Sequence, residues 1–281
     1  MVHRESRVVG LIGHPLGHSL SPVFQQAAFD FHRLALRYEL WPTPATELLD
    51  VLARIRRADC LGANVTIPHK VAVLAHLDEV DRTAAEIGAV NTIHNQGGRL
   101  KGYNTDASGF ARALDEARFA VRNCRALVVG AGGAARAVAL ALAWQECARL
   151  TIAARRVDAA RDLKRSIAAS GRIEVRVCAI DEVCGDEDLI VNCTSVGMKG
   201  GTAPDASPLA DHQIPSGALV YDLVYNPPIT PLLRIARSRG ARVLGGLPML
   251  VHQGAAAFTI WTNLPAPVPL MLARAEETLT A

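Results

Sequence analysis

The stretch Ala126-Leu-Val-Val-Gly130-Ala-Gly132-Gly133-Ala134-Ala135 decides the fold. Its apolar run without alternation predicts a short strand buried on both faces, and the alanine-rich continuation to about Ala143 predicts a helix. Between them, Gly130, Ala131, Gly132, Gly133 and Ala134 form a tight turn that lets the backbone approach a ligand closely. The helix start there offers free N–H groups to a pyrophosphate. Ala135 fills the third glycine slot, which the pattern allows. Such a turn alone also serves purely structural ends, so the surrounding elements have to select the dinucleotide reading.

They do so. Downstream come strand runs at Leu150–Ala154, Glu174–Cys178, Leu189–Cys193, Ala218–Asp222 and Arg242–Leu244. A helix is expected between the first two, reaching about Ser170. Another opens with Thr230 as N-cap and Pro231 as first helical residue, and ends near Gly240. Strands alternating with helices predict a parallel sheet covered on both faces. The end of the second strand selects the dinucleotide. An NAD site carries an acid there for the ribose 2′-hydroxyl, whereas this chain has Ala154-Arg155-Arg156. Two guanidiniums suit a 2′-phosphate, which favours NADP. The plainer alternative is a solvated arginine pair opening a helix.

The first hundred residues repeat the alternation less cleanly, with strand runs at Val8–Ile12, Arg37–Trp41 and Ala63–Ile67. A helix between the first two has Ser21 as cap and Pro22 in its first turn. This is expected to be a separate, smaller α/β domain. The tail from Met249 to Ala281 is helical, interrupted around Pro265–Pro269, and is expected to pack back on that domain. The expected division is 1–106 plus 247–281 for the N-terminal domain and 107–246 for the Rossmann-like, doubly wound one.

A chain of 281 residues, half hydrophobic and one-fifth charged, can bury a sizeable core. The net charge of +3 and the lack of aromatics among the basic groups argue against nucleic acid. A phosphorylated small molecule suits those groups better. The six cysteines form no CxxC pair, which points to a reducing, cytoplasmic setting. No run is long enough for a membrane span, and the apolar run at Val8 is too short for a secretory leader. Monomer and homodimer both stay open.

Two polar residues on loops, Lys70 and Asp106, are candidates for chemistry, and each has an ordinary alternative. Lys70 follows Pro68 and His69 at the end of a buried-looking strand, where it also reads as a surface lysine. Asp106 precedes Ala107 and also reads as a helix N-cap. His14, His18 and His69 are the residues that raise the question of a metal. Pro15 and Gly17 break any helix that would align the first two, and no carboxylate completes the set, so no metal is expected.

The motifs together resemble the shikimate dehydrogenase family. They are Gly10-Leu-Ile-Gly-His-Pro-Leu-Gly-His-Ser19-Leu-Ser21-Pro, Gly62-Ala-Asn-Val-Thr66-Ile-Pro-His-Lys70, Gly88-Ala-Val-Asn91-Thr and Gly102-Tyr-Asn-Thr-Asp106. The glycine loop, Asn192-Cys-Thr-Ser-Val-Gly-Met198, Tyr221-Asp-Leu-Val-Tyr225-Asn-Pro and Met249-Leu-Val-His-Gln253 continue the series, which spans nearly the whole chain. The resemblance implies that Lys70 and Asp106 form the catalytic pair. The lysine would polarise a ketone and protonate the oxygen left by hydride transfer, and Asp106 would hold the ammonium. It implies that Ser19 and Ser21 bind a substrate carboxylate with Tyr225 near it, and that Thr66, Asn91 and Gln253 complete the polyol contacts. It also places Thr194, Ser195, Met198 and Gly246 beside the cofactor. The implied substrate is shikimate or 3-dehydroshikimate, held in a cleft between the domains. Quinate or another cyclic polyol is the nearest alternative, and a non-catalytic nucleotide-sensing module is the alternative of another class.

Two departures from the family pattern bear on these implications. Ala154 and Arg156 replace the outer members of its usual NADP-reading triplet, which keeps NAD open as a secondary cofactor. Pro248 stands in Gly245-Gly-Leu-Pro-Met-Leu, where an altered geometry near the nicotinamide is expected.

Overall fold

The computed structural model describes residues 7–17, 19–168 and 173–280. His18 of the metal question lies outside them, as does the helix end expected at Ser170. The chain divides into two compact units, Met1–Gly109 with Val251–Ala281, and Phe110–Leu250. The N-terminal stretch is the shorter share only until the tail joins it, after which the units are nearly equal in length.

In chain order the first unit holds β1 (Arg7–Gly13), α1 (Ser21–Phe31), β2 (Leu36–Pro42), α2 (Leu48–Ile55), β3 (Cys60–Val65), β4 (Glu79–Val80), α3 (Arg82–Ile87), β5 (Thr92–Gln96), β6 (Arg99–Tyr103) and the start of α4 (Asp106–Glu116). The sheet order is β2-β1-β3-β5-β6-β4. β1 runs parallel to β2 and β3, but β5 is antiparallel to both β3 and β6. The sheet is therefore mixed. The β5–β6 hairpin turns through Gly97 and Gly98, both at positive φ (65° and 94°), where the missing side chain allows the tight connection. β3 starts earlier than the expected Ala63 and stops before Thr66. Every one of its residues is buried, and Val8, Ile12, Ala63, Val65, Ile93 and Leu100 pack in one core cluster.

Ser21 does not cap α1. Leu20 holds the cap position and Ser21 is already helical. The Ser21 N–H is instead accepted by the Ser19 hydroxyl at 3.3 Å, so the capping chemistry has moved two residues upstream.

The second unit continues with β7 (Arg125–Val129), α5 (Gly133–Trp144), β8 (Arg149–Ala153), α6 (Val157–Ala168), β9 (Glu174–Cys178), β10 (Leu189–Asn192), β11 (Leu219–Asp222), α7 (Pro231–Ser238) and β12 (Arg242–Leu244). Its order, β12-β11-β10-β7-β8-β9, is parallel throughout, with the order reversing between β7 and β10. That is the doubly wound arrangement in which ligands bind beyond the strands' carboxyl ends. Leu127, Val129, Ile190, Val220 and Leu233 form its core. Thr230 caps α7 as expected, its Oγ1 accepting from Leu233 N–H at 3.2 Å.

The tail forms α8 (Leu247–Thr262) and α9 (Val268–Thr280). From Val251 onward it belongs to the first unit. Gln25 Nε2 donates to Gly254 O and Trp261 Nε1 to Ile93 O, both at 2.9 Å. Phe258 stacks on Phe29 with ring centroids 5.7 Å apart. No helix among the described residues is long and apolar enough to cross a membrane.

Candidate active site

The loop after β3 is tied down at several points. Thr66 N–H donates to Ile12 O at 2.9 Å, and His14 N–H donates to Ile67 O at 2.9 Å. The buried His69 donates from Nε2 to Thr43 O at 2.6 Å. Val90 N–H donates to Lys70 O at 2.7 Å, fixing the lysine backbone. From that anchored position Lys70 Nζ donates to Asp106 Oδ2 at 2.6 Å, with the side chains only 15% and 5% exposed. A pair held this well, out of most of the solvent, is a directed contact rather than a surface ion pair.

Asp106 does not cap α4, because the helix already includes it. Thr105 O accepts the Gly109 N–H at 3.0 Å, which makes Thr105 the cap residue. Both Asp106 oxygens are thereby left for side chains. Oδ2 takes Lys70, and Oδ1 accepts from Asn91 Nδ2 at 2.8 Å. The same Asn91 amide lies 3.2 Å from Gln253 Oε1 on α8. Lys70, Asp106, Asn91 and Gln253, spread widely along the chain, thus form one connected polar cluster. Ser19, Ser21 and Thr66 lie in the same unit at the carboxyl ends of β1 and β3, and a methyl built on Gly13 would touch Thr66 Cγ2. Tyr225 belongs to the second unit, on the loop after β11.

Sequence reasoning passed over the layer behind this cluster. Tyr38 donates to Asn64 Oδ1 at 2.7 Å, and Asn64 Nδ2 donates to Thr92 Oγ1 at 3.1 Å. Thr92 Oγ1 in turn donates to Asn91 Oδ1 at 3.0 Å. An asparagine inside a wholly buried strand was the available signal, since a buried amide requires partners. Among the described residues no group of three His, Cys, Asp or Glu side chains has the arrangement to hold a metal. No disulfide joins the cysteines among the described residues, and burial raises Cys60 and Cys147 to about 11 and Cys124 to about 12. Those three are inert thiols at neutral pH.

In the second unit Gly130, at φ 114°, turns the chain off β7, and a methyl there would lie 3.3 Å from Thr194 Cγ2. Gly132 caps α5 without a side-chain bond, and a methyl on it would meet nothing within 4 Å. The start of α5, at Gly133 and Ala134, therefore has open space beside its cap residue, which suits the approach of a pyrophosphate. Arg155 and Arg156 follow β8 and are exposed. The residues present fit a dinucleotide with a 2′-phosphate. The loop with Thr194, Ser195 and Met198 is bonded to the next one through Lys199 N–H to Asn226 O at 2.8 Å. Gly246 packs so closely on Leu223 O that a methyl would clash with it. Pro248 falls in the first turn of α8, where a missing N–H leaves no helical bond unmade. Behind these loops Asp222 accepts from Asn192, Val224 and Thr230, and burial raises its carboxyl to about 6.

The chain resembles known proteins over most of its length. Residues 11–93 match the shikimate dehydrogenase substrate binding domain, 113–203 the shikimate / quinate 5-dehydrogenase family and 246–276 the shikimate 5′-dehydrogenase C-terminal domain. The chain is 45% identical over 275 residues to a shikimate dehydrogenase (NADP(+)) of Moorella thermoacetica, covering 96% of this chain and 92% of that protein. It resembles shikimate 5-dehydrogenase of Thermus thermophilus, solved with NADP(H) and shikimate, at a TM-score of 0.88 and 40% identity, covering 97% and 100% of the two chains. A shikimate dehydrogenase solved with NADP+ superposes at a TM-score of 0.92 and 36% identity, covering 100% and 98%. The chain belongs to the shikimate dehydrogenase family.

Proposed function

We propose that the chain is an NADP-dependent shikimate dehydrogenase that interconverts 3-dehydroshikimate and shikimate, with Lys70 as proton donor and acceptor. The observation that carries the residue assignment is the 2.6 Å contact between Lys70 Nζ and Asp106 Oδ2 in a nearly buried cluster. Bound NADPH supplies the hydride. Hydride delivery to a ketone leaves negative charge on its oxygen, and the Lys70 ammonium both stabilises that charge and provides the proton. Only one of its three N–H bonds is needed for Asp106, so others are available to the substrate oxygen. Asp106, itself fixed by Asn91, keeps the ammonium aimed. Ser19 and Ser21 bind the substrate carboxylate, assisted by Tyr225, while Thr66, Asn91 and Gln253 read the ring hydroxyls. Gly130 to Ala134 hold the pyrophosphate, and Arg155 with Arg156 holds the 2′-phosphate. Thr194, Ser195, Met198 and Gly246 line the nicotinamide end. Cysteines outside any disulfide accord with a cytoplasmic enzyme.

The test is to mix the pure protein with shikimate or quinate and with NADP+ or NAD+, then follow reduced nicotinamide. Shikimate with NADP+ is expected to give the highest kcat/KM. Quinate with NAD+ winning would overturn both the substrate and the cofactor assignment. No turnover with any pairing would favour a nucleotide-sensing module instead.

A further inference from the structure

Asp222 is a buried titratable group that the reaction described above does not use. It ends β11 directly beside Asn192 of β10, and none of it reaches solvent. Its Oδ1 accepts from Asn192 Nδ2 at 2.8 Å and Val224 N–H at 3.0 Å, and its Oδ2 accepts from the Thr230 hydroxyl at 2.6 Å. All these donors are neutral, and among the described residues no charged side chain faces the carboxylate. Buried carboxylates are ordinarily paired with a cation or neutralised. Burial raises this one, yet both of its oxygens accept, from three donors in all, as an ionised carboxylate does. Hydrogen bonding does not demand that charge. An asparagine oxygen would accept from Asn192 and Val224, and its amide would meet the Thr230 oxygen.

The position gives the charge a use. β10 and β11 belong to the second mononucleotide half of the sheet, the half left for the nicotinamide once the first has taken the pyrophosphate and 2′-phosphate. Asn192, bonded to Asp222, holds Thr194 through its Oδ1 at 3.0 Å to N–H and 2.7 Å to Oγ1. Val224, also bonded to Asp222, receives the Gly246 N–H on its carbonyl at 3.3 Å. Asp222 therefore stands one residue behind both Thr194 and Gly246. The oxidised nicotinamide ring carries a positive charge that the reduced ring lacks. A fixed negative charge in a poorly polarisable interior separates two ligands that differ by that charge.

We propose that the Asp222 carboxylate determines specificity for the oxidation state of the cofactor, favouring the cationic ring over the neutral one from behind Thr194 and Gly246. The inference rests on the NADP reading of the second unit. It follows that the equilibrium on the enzyme leans towards oxidised cofactor, and so towards the alcohol rather than the ketone.

Calorimetric titration of wild type and D222N with NADP+ and NADPH separately tests this, because the substitution removes the charge and keeps the shape. The dissociation constant for NADP+ is expected to rise about three- to tenfold in D222N, with that for NADPH within about twofold of wild type. An unchanged ratio of the two constants overturns the proposal. Wild type binding neither form overturns the reading of the second unit, a distinct result that removes the proposal's basis as well. Should D222N fail to fold, titrating wild type at about pH 5 and about pH 8 makes the same comparison, since protonation neutralises Asp222. Asn192 of β10, Val224 of the following loop and Thr230 at the start of α7, the groups packed on the carboxylate, do not titrate in that range. The 2′-phosphate is common to both cofactor forms and cancels in the ratio. A ratio equal at the two pH values again overturns the proposal.

Discussion

In the first unit, the Asp106 carboxylate meets a lysine at 2.6 Å and an asparagine at 2.8 Å. In the second unit, the Asp222 carboxylate is equally buried and meets only neutral donors. The first charge is paired, and its partner ammonium is held in place by that contact. The second is unpaired, so its field is not cancelled locally and reaches beyond its hydrogen-bond partners. On the proposed reading, the same side chain serves proton chemistry in one unit and acts through its field in the other. The comparison breaks if the consequences of altering the two sites turn out alike.

The largest difference is expected at the paired site. Lys70→Ala should lower kcat by about a thousandfold, or about 4 kcal/mol of transition-state stabilisation, without weakening NADP+ binding. Steady-state kinetics beside calorimetry checks this, and a parallel loss of cofactor affinity would blur the division of labour. Next in size is the stability cost of the unpaired charge. Because folding raises the Asp222 carboxyl from 3.8 to about 6, its contribution to stability is fully present below about pH 4 and lost as pH rises through about 6. Neutralising it should remove up to about 3 kcal/mol of this pH dependence. Urea unfolding of D222N and wild type at several pH values should therefore show the difference moving in favour of D222N as pH rises. A difference independent of pH would mean that Asp222 is not an isolated charge.

Smaller effects sharpen the picture within the second unit. R155A combined with R156A should reduce the preference for NADP+ over NAD+ by about 2 kcal/mol, roughly thirtyfold in the ratio of kcat/KM values. An unchanged ratio would return those arginines to the role of a solvated pair. Comparable in size is the effect of Thr230→Val, which removes both the α7 cap and a donor to the buried Asp222 carboxylate and should destabilise the protein by about 2 kcal/mol in thermal unfolding.

The second sheet is easier to read from sequence than the first for a physical reason. Strands buried on both faces appear as apolar runs, so β7 and β10 and the turn at Gly130 stand out. β5 and β6 carry polar residues such as Asn95, Gln96, Arg99 and Lys101, which hide them among loops. The Gly97-Gly98 pair was the usable hairpin signal. In the site, Lys70 and Asp106 are legible as motif residues. The resemblance already implied that Asp106 holds the lysine, and the fold removes the helix-cap alternative by giving the cap to Thr105. The links from Asn91 to Gln253 and from Tyr38 to Asn64 join distant segments, and no local pattern encodes them. Asp222 lies within the motif that begins at Tyr221, but the neutrality of its neighbours is a property of three-dimensional packing.

The central claim, that the Lys70 ammonium delivers the proton, is tested most directly by returning an amine to the space left by Lys70→Ala. Turnover of shikimate with NADP+ is measured against increasing methylammonium at fixed ionic strength. The account expects the rate to rise with amine concentration by about tenfold or more, with no such rise in wild type. A variant that turns over at the wild-type rate without added amine would contradict it.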